Sequence, residues 1–98
     1  MKRVMVRYRV KPDRVAENEE YIRAVFEQLE RERPDGLRYV SHKLEDVVTF
    51  VHMVWVDSSD DPLQRLTAFK AFTAGIKDRC DEPPVAVRLA EVGSYGFV

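Results

Sequence analysis

Residues 47–56 read V-V-T-F-V-H-M-V-W-V. One alternate set is Val48, Phe50, His52, Val54 and Val56; the other is Val47, Thr49, Val51, Met53 and Trp55. β-branched and aromatic residues dominate both sets, which predicts a strand. A strand with one wet face alternates apolar and polar residues, and this one hardly does, so both of its faces are expected to be buried. Helices in so short a chain can cover one face. The other then calls for a second copy of the protein.

The rest of the chain sorts by period around that strand. Residues 3–10 alternate, with Val4, Val6, Tyr8 and Val10 against Arg3, Met5, Arg7 and Arg9, as in a strand with one apolar face. Lys11-Pro12-Asp13 ends it and opens a helix whose stripe is Val15, Ile22, Val25, Phe26 and Leu29. Asn18 falls inside that stripe. Pro34-Asp35-Gly36 stops the helix, and Leu37–Leu44 reads as a second strand that turns at Glu45-Asp46. That turn has no glycine and leaves the register open. Pairing Leu44 with Val48 puts His52 opposite Val40 with His42 on the same face. Pairing Leu44 with Val47 puts the two histidines on opposite faces. After the polar loop Asp57–Asp60, Asp61-Pro62-Leu63-Gln64 predicts a capped helix start with the stripe Leu66, Phe69, Phe72, Thr73, Ile76 and Cys80. Asp81-Glu82-Pro83-Pro84 closes it, Val85–Val92 is the last strand, and residues 93–98 form an extension or arm.

The order β-α-β-β-α-β predicts an α+β, ferredoxin-like sandwich: a four-stranded antiparallel sheet with two helices on one face. The third strand is central there, which suits its two-sided apolarity. At 98 residues the chain is read as one domain, residues 1–98. A net charge of −1 gives no electrostatic case for nucleic acid. No signal peptide or membrane-crossing run is read, so the expected location is the cytoplasm and no membrane partner is expected. The lone cysteine, Cys80, cannot make an internal disulfide, and no metal-ligand spacing is present, so no metal or cofactor is expected.

Two polar residues stand among apolar neighbours. His52 on the central strand can exchange a proton near neutrality and take one from an acidic phenol, or be satisfied structurally by a neighbour. Asn18 can hold a substrate oxygen, or bond a strand or a histidine. If both serve a site, Asn18→Leu and His52→Phe should leave the melting temperature unchanged or raise it. Tyr8, Phe50, Trp55, Phe69 and Phe72 can line an aromatic pocket or fill plain core. Cys80 reads as a small buried hydrophobe.

The short β-α-β-β-α-β chain, the third-strand ending Trp55-Val56-Asp57-Ser58 and the amphipathic P-L-Q-R-L-T-A-F-K-A-F segment after it resemble the dimeric α+β barrel superfamily. Within it, the chain is most similar to the antibiotic-biosynthesis-monooxygenase-like family. The resemblance implies a homodimer joined through its sheet faces, with a small apolar or aromatic molecule held between helices and sheet. It further implies either cofactor-independent oxygenation of a phenolic substrate or a non-catalytic binding or structural role. Tyr8, Asn18, His52 and Trp55 would be the pocket groups, with His52 as base or hydrogen-bond donor. Haem-degrading members carry a histidine on the second helix, and Leu63–Cys80 has none.

Overall fold

The computed structural model describes residues 2–57 and 60–97. Strands β1 (Lys2–Val10), β2 (Leu37–Lys43), β3 (Thr49–Val56) and β4 (Cys80–Arg88) form one antiparallel sheet in the order β2-β3-β1-β4. Helix α1 (Val15–Glu32) follows a short 3-10 turn at Pro12–Arg14, and α2 (Thr67–Ala74) and α3 (Ile76–Arg79) follow another at Pro62–Arg65. The fold is the ferredoxin-like α+β sandwich that the element order predicts. Its core joins Tyr8, Val10 and Phe50 from the sheet to Val25, Leu63, Leu66, Phe72 and Ile76 from the helical layer. Each of these large apolar side chains contributes roughly 1.5–3 kcal/mol by leaving water.

The turn between β2 and β3 is longer than the sequence suggests. Val47 and Val48 belong to it, and β3 begins at Thr49. Asp46 organises it: its carboxylate accepts the amide hydrogens of Val48 (3.0 Å) and Thr49 (2.8 Å) and the Thr49 hydroxyl (2.6 Å). These bonds hold the Asp46 carboxyl below the usual carboxylate range. Leu44 then donates its amide hydrogen to the Thr49 carbonyl, a register one residue beyond the Val48 pairing and two beyond the Val47 pairing, whose parity it shares. Ser41 faces His52, and His42 faces Val51 on the opposite side of the sheet. The two histidines therefore do not share a face.

The second helical segment departs more. Asp61 does cap, accepting from the Leu63 amide at 2.9 Å, but what it caps is the 3-10 turn. The helix proper starts at Thr67, where the Gln28 side-chain oxygen from α1 accepts the Ala68 amide hydrogen at 2.9 Å. Gly75 divides α2 from α3. Residues 81–84 do not close a helix: Cys80 through Pro84 are the first part of β4, with irregular register against β1 between Arg7 and Val10. Two adjacent prolines without amide hydrogens account for that break, and an edge strand tolerates them. The polar loop at Asp57–Asp60 and the end of the tail include Ser58, Ser59 and Val98, which lie outside the described residues.

The helices cover the sheet face of Phe50, His52 and Val56. The other face carries Met5, Val51, Met53 and Trp55, each half-buried, with Val85 and Val87 exposed. No helix of the described residues is long and apolar enough to cross a membrane.

Val47 holds φ = 61°, in the left-handed region that a β-branched residue disfavours. Its side chain is mostly exposed and contributes little packing. We therefore expect Val47→Gly to raise unfolding free energy by about 1 kcal/mol, measured by urea denaturation. A loss of stability would mean that the turn is not strained.

Candidate functional site

Between α2 and the covered face of the sheet lies a cavity of about 420 Å³. Its walls are largely apolar, with Val6 and Val54 from the sheet and Phe69, Phe72 and Ile76 from the helices. Three polar side chains meet on its sheet wall: Tyr8 from β1, Tyr39 from β2 and His52 from β3. Strand alternation brings them together. Val6 lies opposite His52 across the β1–β3 ladder and Ser41 opposite His52 across β2–β3, so Tyr8 and Tyr39 fall diagonal to the histidine on its own face.

A continuous hydrogen-bonded chain runs behind that wall. The Tyr8 hydroxyl is 2.7 Å from His52 Nε2. On the other side of the ring, Nδ1 lies 2.6 Å from the Tyr39 hydroxyl and 2.8 Å from the Ser41 hydroxyl. Asn18 of α1 donates from its amide to the Tyr8 oxygen at 2.9 Å. Arg79 of α3 donates from Nε to the Asn18 oxygen at 3.2 Å and from Nη2 to the Phe72 carbonyl at 2.6 Å. Its guanidinium also sits 4.4 Å above the Tyr21 ring. Asn18 is 0% exposed, Arg79 1%, Tyr8 2% and His52 3%.

Burial sets the protonation of these groups. It pushes His52 down from 6.5 to about 4, so the imidazole is neutral at physiological pH. It pushes the Tyr39 phenol up to about 12, and the Tyr8 phenol well above its ordinary value, so both tyrosines stay protonated. The resting site is an uncharged hydroxyl–imidazole–hydroxyl cluster with a cation at the far end.

The structure sorts the residues expected at the site. Tyr8, His52, Phe69 and Phe72 line the cavity. Asn18 stands behind Tyr8 and reaches the cavity only through it. Phe50 stacks on Tyr8 at 5.5 Å between centroids and borders a second, shallower hollow beside Phe26. Trp55 lies on the uncovered sheet face, across from Arg3 and Arg38, so it is no wall of this cavity. Strand parity is the reason: Trp55 is an odd number of residues from His52. Cys80 is buried, as expected, but it starts β4.

Three members of the chain were not singled out from the sequence. Tyr39 and Ser41 needed the β2–β3 register before either could be placed on His52. Arg79, at a helix C-terminus, reads as an ordinary surface cation. Its one warning is position: it falls three residues after Ile76, near the buried stripe. Among the described residues no group of three or more His, Cys, Asp or Glu side chains is placed to hold a metal ion.

No family model and no curated protein matches the sequence. Solved structures do match the fold. A candidate antibiotic biosynthesis monooxygenase from Nitrosomonas europaea is 22% identical, with a TM-score of 0.79 over 95% of this chain and 100% of that one. One from Caulobacter crescentus is 24% identical, with a TM-score of 0.70 over 94% of this chain and 90% of that one. A third, from Bacteroides thetaiotaomicron, is 14% identical at a TM-score of 0.73, over 99% and 93% of the two chains. The chain has their fold. At these identities the likeness covers architecture, and the cavity with its polar wall has to be read from this chain's own residues.

Two outcomes follow from the buried chain. Asn18→Leu would leave the Arg79 Nε donor and the Tyr8 oxygen without their partner, reversing the expectation that packing alone suggests. We expect it to cost about 3 kcal/mol in urea denaturation; an unchanged midpoint would show that Arg79 finds another acceptor. The lowered His52 value also gives a pH signature. Between pH 6.5 and about 4 the unfolded chain binds a proton that the folded chain refuses. Stability is therefore whole above that window, and about 3 kcal/mol is lost as pH falls through it. Thermal melts across that range should show this loss, and His52→Gln should lose less.

Proposed function

We propose that this protein is a cofactor-independent monooxygenase of the antibiotic-biosynthesis type, acting on a small aromatic or phenolic molecule held in the cavity. The observation that carries the reading is the hydroxyl–imidazole cluster set into a largely apolar wall, with Lys2, Asp61, Gln64 and Thr73 as its other polar residues. The walls would bury a ring system, and the cluster would face an oxygen on it. A fitting substrate has an acidic methylene group conjugated to a phenol or ketone and reacts with dioxygen. The methylene carbon gives up both hydrogens and takes one oxygen atom as a carbonyl. The other oxygen atom leaves with those hydrogens as water. Both electron pairs come from the C–H bonds, so no external reductant enters the balance. The site's task is to favour the carbanion that oxygen attacks. His52 could do so as a base or, through its neighbours, by a hydrogen bond to the oxygen left charged. The neighbours in fold that carry the monooxygenase name support this class of reaction.

We further propose a homodimer closed through the uncovered sheet face, working in the cytoplasm, where the free thiol of Cys80 is at home. Met53, Trp55, Val85 and Val87 give that face its apolar character. A second reading, non-catalytic binding of a small apolar molecule, draws on one observation: both ring nitrogens of His52 already have protein partners.

Oxygen uptake with anthrone and a panel of phenols tests the first reading. Turnover is expected, and His52→Gln should lower it by roughly 10²-fold or more in either of its two roles. Binding of the same compounds with no oxygen consumed would favour the second reading. Light scattering at micromolar protein should give twice the chain mass, and Val87→Asp should return a monomer. A monomeric wild type would overturn the dimer.

A further inference from the structure

The hydrogen-bonded chain behind the cavity has a direction, and its buried end sets it. A guanidinium carries donors only, so the Asn18 oxygen must face Arg79, 3.2 Å away. The Asn18 amide nitrogen then faces Tyr8 and donates to its oxygen at 2.9 Å. With that hydrogen received, the Tyr8 hydroxyl donates its own to His52 Nε2 at 2.7 Å. The alternative, in which Tyr8 receives from both Asn18 and His52, would leave the buried Tyr8 hydroxyl hydrogen without an acceptor. Nε2 is thus the bare nitrogen, and the neutral ring carries its hydrogen on Nδ1, facing the Tyr39 and Ser41 hydroxyls at 2.6 and 2.8 Å. Ser41 is also a hydrogen-bonding neighbour of Tyr39. Tyr39 lines the cavity and Ser41 stands outside its lining. With the Ser41 hydroxyl receiving from Nδ1 and donating to the Tyr39 oxygen, the hydrogen left over at the end of the chain is the one on Tyr39, beside the open space.

We propose that Arg79, which does not touch the cavity, orients the chain so that the Tyr39 hydroxyl donates a hydrogen bond to an oxygen of the ligand. The ligand class follows: an aromatic molecule bearing a carbonyl, enolate or phenolate oxygen. Tyr39 is the binding group, and Arg79 and Asn18 are positioning residues that act through Tyr8 and His52. The proposal rests on the cavity being the ligand site, as above, and it decides between the two roles left to His52. The ring passes a hydrogen bond outward and does not collect a proton from the ligand.

Nitrogen NMR of the histidine side chains, in intact protein carrying His42→Gln so that one ring remains, reads the tautomer directly. Wild-type His52 is expected with its hydrogen on Nδ1. Asn18→Asp is the inverting variant. Its carboxylate gives Arg79 an anionic partner, which favours folding, and accepts the Tyr8 hydrogen. Tyr8 must then receive from His52, and the hydrogen moves to Nε2. Arg79→Lys, still a donor only, should keep the wild-type tautomer. Fluorenone and fluorene, alike in size but differing by the carbonyl, probe the ligand end. The ratio of their affinities should fall about tenfold in Tyr39→Phe and in Asn18→Asp. Hydrogen on Nε2 in the wild type, no inversion in Asn18→Asp, an unchanged ratio in Tyr39→Phe, or no binding of fluorenone would each overturn the proposal. The tautomer is read without ligand or oxygen, so absence of turnover alone would sink only the monooxygenase reading.

Discussion

A guanidinium taken out of water has to be met on every side, and the interior of this protein is arranged around meeting one. Burying a charge costs several kcal/mol even after relaxation. Among the described residues, the hydrogen bonds of Arg79 go to neutral oxygens, the Asn18 amide and the Phe72 carbonyl, with the Tyr21 ring beneath. Those contacts tie α3 to α1 and α2. Through Asn18 they reach Tyr8, and through Tyr8 the three strands that meet at His52. The polar wall of the cavity is the last part of an inward-running construction that starts with a cation. A site built this way resists rearrangement, because no member can turn without leaving a neighbour unsatisfied.

Much of this architecture is written in periodicity, and the exceptions have local causes. The alternation of Val4, Val6, Tyr8 and Val10 and the double-sided run ending at Val56 suffice for the sheet and for the central place of β3. The β2–β3 register did not follow, because its turn is made by an aspartate side chain and a strained valine where a glycine pair would have announced itself. Asn18 was legible because an amide in an apolar helical stripe contradicts its surroundings. Arg79 was not, since a cation in the last turn of a helix agrees with its surroundings, and only tertiary packing turns it inward. Trp55 teaches a different point. Parity along β3 separates it from His52, and the likeness to a known family, not the alternation, placed both in one pocket.

The cavity and the bare sheet face are two consequences of one shortage. A chain of this length has helical surface enough for one side of its sheet, and even there the broken second helix leaves space unfilled. Gly75 ends α2 after eight residues, and α3 adds a single turn before the chain re-enters the sheet. The hollow below them is open because the helical layer is short. On the opposite side Val85 and Val87 stand exposed for the same reason.

The paired prolines of β4 bear on how such a chain avoids trouble with itself. A sheet has two ways to recruit another copy: face to face, which closes after one partner, or edge to edge, which has no natural end and leads toward fibres. Pro83 and Pro84 have no amide hydrogens at all, so this stretch of β4 offers fewer donors to any strand that would pair with it. A newcomer pairing along the free margin of β4 would meet that shortage and a strand bent by its irregular register. The sequence that unsettles β4 in the fold also makes its rim a poor template for edge-to-edge growth.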